Sequence, residues 1–94
     1  MTDKVNSECR DVVADEGFRW IDQNATEIAC LSDEIWQYAE LGLHEYRSAA
    51  ALEGFLKKHG FDVESGIAGM PTAFVATWGK GESTIGFLGE YDAL

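Results

Sequence analysis

Basic residues are scarce in this chain. Seven Lys and Arg stand against 17 Asp and Glu, for a formal net charge of −10. Nucleic acid calls for a basic patch that displaces counterions from phosphate, so the balance argues against a nucleic-acid partner. It argues equally against adsorption to an anionic membrane. Long apolar runs are missing too, since none approaches the roughly 20 residues that span a bilayer. The opening residues, MTDKVNSECR, lack the basic start and apolar centre of a signal peptide. Together these absences predict a cytoplasmic protein with no membrane segment. Cysteine is limited to Cys9 and Cys30, with no CxxC or Cys–His cluster. Each lies in a helical pattern, so both read as packing thiols rather than a disulfide pair. Gly79-Lys80-Gly81 is too short for a phosphate-cradling loop.

What is present describes an ordinary folded domain. Ninety-four residues, 46% of them apolar, suffice for one small domain with a modest core. Residues 1–7 are polar and are expected to fray. Helical spacing begins with Cys9, Val12, Val13, Trp20 and Ile21. Asn24 reads as an N-cap with Glu27 three residues on, so the chain opens with either one bent helix or two helices broken near Asn24, and the cap favours the break. Ile28, Leu31, Ile35, Tyr38 and Ala39 then form an amphipathic stripe that ends before Gly42. A further helix is expected from Arg47 to His59, with Ala49, Leu52, Phe55 and Leu56 inward. Gly60 is its C′ glycine, and Lys57, Lys58 and His59 complement its dipole.

Three strands are expected next. Phe61–Ser65 alternates apolar and acidic residues, as a half-solvated strand does. Thr72–Trp78 is apolar on both faces, and Gly79-Lys80-Gly81 suggests a hairpin joining it to Thr84–Leu88. The fold class is therefore α/β, with helices followed by a three-stranded portion of a sheet. A two-faced apolar sheet needs cover on both sides, so the chain reads as an incomplete piece of a larger catalytic domain. Its final stretch, TIGFLGEYDAL, delivers Glu90 and Asp92 from the end of an apolar run. In an extended chain these two carboxylates share a side, an arrangement α/β folds use to build sites.

Three segments carry a resemblance: IWQYAELGLHEYRSA (Ile35–Ala49), GIAGMPTAFVATWGKG (Gly66–Gly81) and IGFLGEYDAL (Ile85–Leu94). In this order they resemble the N-terminal part of the two-metal amidohydrolases and metallopeptidases, over roughly residues 21–94. The resemblance implies a mixed sheet, a lid and dimerisation domain outside this chain, and a homo-oligomer at full length. It implies two divalent metals, zinc or manganese, with water attacking the amide of an acylated amino acid or dipeptide. The family's His-x-Asp aligns with Glu90 and Asp92, so Glu90 stands where a metal-binding His is usual. Metal ligands are expected from a Cys-Gly-His segment shortly after Leu94, so no metal is expected on these residues alone. Asp92 is then a carboxylate that orients a ligand imidazole or catalytic water. Glu90 is the weaker site candidate.

The remaining candidates have blander readings. His44 and Glu45 are adjacent and diverge on any regular element. Glu40 is expected to fix the turn after the second helix. Trp20, Trp36 and Trp78 read as core or interface aromatics. The competing reading of the whole is a stand-alone acidic interaction module that kept part of an enzyme fold.

Overall fold

A computed structural model describes residues 2–93, with side chains described from residue 10. The chain divides into two compact units, Met1–Cys30 and Leu31–Leu94. Helix α1 spans Thr2–Tyr38, α2 spans Tyr46–Lys58, strand β1 Asp62–Ser65 and strand β2 Phe74–Thr77. The content is thus both helical and sheet, as expected of an α/β chain.

Asn24 does not cap a helix. It lies inside α1, and its amide nitrogen donates to the Trp20 carbonyl at 2.8 Å, one turn back. An amide side chain that finds its acceptor within the helix offers no reason for a break. Within the first unit no described side chain is buried: Val12, Val13, Phe18 and Ile21 are all more than half exposed. Cys30 is free and exposed, against the packing role expected of it; the Cys9 side chain lies outside the described residues. Of the stripe, Ile28, Leu31, Ile35 and Tyr38 are half-buried, as their spacing predicts, while Ala39 lies just past the end of α1, exposed and at φ +46°.

In the second unit the organising element is α2, which packs against both strands. Ala49 and Ser48 are buried on it, while Leu52, Phe55 and Leu56 are half-buried. Its C-terminus is closed by two backbone bonds: Gly60 N–H to the Lys57 carbonyl at 3.1 Å, and Phe61 N–H to the Leu56 carbonyl at 3.0 Å. That pair defines a Schellman ending, which requires a left-handed residue at C′. Gly60 supplies it with φ of +89°. The motif turns the chain straight into β1 beside its own helix.

The sheet differs from expectation. It has two strands, antiparallel, with Asp62 opposite Thr77 and Ser65 opposite Phe74. The hairpin closes through residues 66–73, where the Gly66 and Ile67 N–H groups both reach the Ala73 carbonyl at 2.8 and 3.2 Å. Gly66 enters this loop at φ +71°, followed by a single 3-10 turn, Ile67–Gly69. Gly79-Lys80-Gly81 makes no hairpin, and Thr84–Leu88 forms no strand among the described residues. β2 gives its one ladder to β1, so the sheet is two-stranded and not a three-stranded mixed one. Nor is β2 apolar-buried on both faces, since Val75 is 48% exposed. Ile85, Phe87 and Leu88 lie open to solvent, and Trp36 and Trp78 are likewise largely exposed.

Candidate functional site

The turn between the helices is held by two carboxylates with different tasks. Glu40 reaches the start of α2, where its Oε1 accepts from Ser48 N–H at 2.8 Å and its Oε2 from Arg47 N–H at 3.1 Å. Those donors belong to the first turn of a helix and have no partner within it, so a carboxylate there caps the helix and meets its dipole. Burial pushes the Glu40 carboxyl up, but the Ser48 and Arg47 N–H groups and the Arg47 charge hold it below the usual carboxylate range. The Arg47 guanidinium completes the frame, with Nε 3.6 Å from Glu40 and its carbon 4.6 Å above the Tyr38 ring. Glu45 is buried and accepts from the Leu43 N–H at 2.7 Å. Glu40 therefore fixes the turn, as its place in the sequence predicts.

The acidic pair at the end of the chain is built differently. From Trp78 to Glu90 every residue is exposed; Tyr91 is the first to turn inward, and Asp92 is exposed again. The Tyr91 hydroxyl donates to the carbonyl of Thr72, a buried residue at the mouth of β2. Its ring lies 6.1 Å from that of Phe74, tilted by 45°, an ordinary separation for an aromatic pair. Glu90 and Asp92 thus flank an anchored side chain and both face water. Burial, then the nearby charges of Glu45, Glu53 and Glu40, push the Tyr91 hydroxyl above its ordinary value, with Thr72 opposing in part.

Tyr91 and Thr72 are the residues that residue type alone does not single out. Alternation points to Tyr91: if positions 90 and 92 face out, position 91 faces in. Nothing in the sequence signals that its partner lies 19 residues away.

The two histidines are apart from this pair. His44 is exposed and edges towards Tyr46 at 6.4 Å, while His59 caps the C-terminus of α2 with its ring 4.6 Å from that of Phe55, tilted by 50°. Among the described residues no three His, Cys, Asp or Glu side chains converge as metal donors would. These residues by themselves do not fit a metal site. The pair offers two solvent-facing carboxylates that can accept hydrogen bonds.

Over 86 residues, 84% of this chain, the sequence is 40% identical to a subunit of the p-aminobenzoyl-glutamate hydrolase of Escherichia coli (strain K12). The chain is related to the amidohydrolases and peptidases. It is also 37% identical over 89 residues, 79% of its length, to the Xaa-Arg dipeptidase of Mus musculus. It spans only 17% and 20% of the lengths of these two curated relatives. No family model matches the chain. Among the described residues no helix is long and apolar enough to cross a membrane.

Proposed function

We propose that this chain is the N-terminal segment of the catalytic domain of a metal-dependent amidohydrolase. The parent enzyme cleaves an amide bond in an N-acyl or aminobenzoyl amino acid, or in a dipeptide. The observation that carries this is the 40% identity, across most of the chain, to a protein named as a hydrolase of p-aminobenzoyl-glutamate. The dipeptidase relative supports the same bond type from a second direction. In this reading Asp92 accepts a hydrogen bond from an imidazole or a water contributed by the rest of the site. Glu90 adds negative charge beside it. The two divalent ions, zinc or manganese, belong to the complete enzyme, as do the lid domain and a homo-oligomeric state. The 94 residues alone do not turn over substrate, and the parent enzyme works in the cytoplasm.

The test compares this chain with the product of the whole open reading frame that encodes it. Each is assayed for hydrolysis of p-aminobenzoyl-glutamate and of Xaa-Arg dipeptides, with and without zinc or manganese. Turnover should be confined to the longer product and should require metal. In that product Asp92→Ala should weaken metal affinity by about 10–100-fold, the scale for losing a carboxylate that orients a ligand. Turnover by the 94-residue chain, or unchanged affinity in Asp92→Ala, would overturn the proposal.

A further inference from the structure

We propose that Tyr91 is a positioning residue for the Glu90–Asp92 carboxylate pair. The proposal deepens the functional reading above and rests on it for the pair's role. Its basis is the contrast within one segment. Thirteen consecutive residues, 78–90, are exposed, and the chain then dips once, at Tyr91, before Asp92 returns to solvent. Two contacts on one short piece of backbone hold that dip: the hydroxyl on the Thr72 carbonyl and the ring against Phe74. Thr72 is buried, and Phe74 is the first residue of β2, paired with Ser65. The anchor is therefore the hairpin, the only laddered sheet among the described residues.

The geometry explains what the anchor does for its neighbours. In extended backbone, successive side chains point to opposite sides. Holding the side chain at position 91 against the hairpin limits the directions open to 90 and 92, which are bonded to it on either side. Without it, Glu90 and Asp92 would hang from a stretch that makes no ladder, and each carboxylate would sample many directions. A carboxylate that must hold an imidazole or a water in one orientation loses effect when it wanders, since small misplacements are costly in catalysis. Tyr91 acts through its neighbours and touches no reacting atom.

Two measurements test this on different footings. In the full 94-residue chain, ¹⁵N heteronuclear NOEs at positions 90 and 92 should fall in Tyr91→Phe, while those of residues 75 and 76 hold. Phe74→Leu, which weakens the ring contact from the other side, should lower the same two values. In the full-length gene product, Tyr91→Phe should reduce kcat roughly 2- to 12-fold, the worth of one hydrogen bond, with KM changed less than twofold. Combined with Asp92→Asn the losses should be less than multiplicative, because both act on one carboxylate. A purely structural role would combine multiplicatively with Asp92→Asn, and that result would overturn the proposal, as would unchanged NOEs at 90 and 92 in both variants. If the NOEs fall but no gene product hydrolyses any amide tested, the anchor stands and the amidohydrolase reading is what fails.

Discussion

The Schellman ending of α2 makes an unusually clean test, because two glycines of the same element should respond to the same substitution with opposite signs. At Gly60 the backbone is left-handed, φ +89°. A β-carbon placed there would sit 3.8 Å from the Trp78 Nε1, an ordinary contact, so no clash contributes. The cost is conformational, about 1–2 kcal/mol for an L-residue in this region. A stiffer unfolded chain returns about 0.4–1 kcal/mol of it, leaving a net loss of about 1 kcal/mol for Gly60→Ala. Gly54 sits inside α2 with nothing within 4 Å of where its β-carbon would lie. Helix propensity then predicts a gain of about 0.5–1 kcal/mol for Gly54→Ala. In a domain of this size 1 kcal/mol moves Tm by roughly 4–8 °C. Circular dichroism at 222 nm through thermal unfolding should show Gly60→Ala several degrees below the wild type and Gly54→Ala above it. Gly60→Asn should fall between Gly60→Ala and the wild type, since Asn tolerates this backbone better. A neutral Gly60→Ala, or a destabilising Gly54→Ala, would refute the assignment of the turn.

Other outcomes follow from the same contacts. The Glu40 carboxyl is lowered in the folded chain from an ordinary 4.5, so its stabilisation is present above that value and lost as pH falls through the lowered one. Glu40→Gln should therefore melt below the wild type at pH 7 and converge with it in acid. Tyr91 is raised from 10.0, so its contribution is present below pH 10 and lost as pH climbs through the raised value; Tyr91→Phe should flatten the alkaline limb of the stability curve. Asn24→Ala should leave helicity unchanged or raise it, by about 0.5 kcal/mol at most. An N-cap Asn would instead cost about 1 kcal/mol when removed. Phe87 and Leu88 are 95% and 98% exposed, so replacing both with Ser should reduce binding of an apolar dye without lowering helix content.

Helix α2 and its ending were legible because every local cue agreed: an apolar stripe, basic residues in the last turn and a glycine just beyond. The two-stranded ladder was harder to read. Strand propensity identified the runs around Val63 and Val75, but the partner of a strand is a long-range choice. The Gly79-Lys80-Gly81 connection looked tighter than the eight residues that actually close the hairpin. Those residues close it because Gly66 is left-handed and the Ala73 carbonyl takes two N–H donors at once. At Asn24 a capping residue type met a helix that simply continued, and α1 is Thr2–Tyr38 without interruption. The site candidates were found by residue type, whereas Tyr91 required the tertiary contact.

The acids of this chain separate by what their oxygens are doing, and that bears on what the resemblance can mean. Glu40 commits both oxygens to N–H groups of the first turn of α2, and Glu45 is buried against the Leu43 N–H. Both acids of AELGLHE are thus occupied in holding the turn into α2. Glu90 and Asp92 have no such duty. Both are exposed, and the residue that holds their segment in place is the tyrosine between them. If folding were the only demand on this stretch, the anchor would be needed but its acidic neighbours would not. These two are among the 17 acids that set the net charge of −10, and they bring mutual repulsion. The stability of the 94 residues thus gives a reason for Glu40, Glu45 and Tyr91 but none for Glu90 and Asp92.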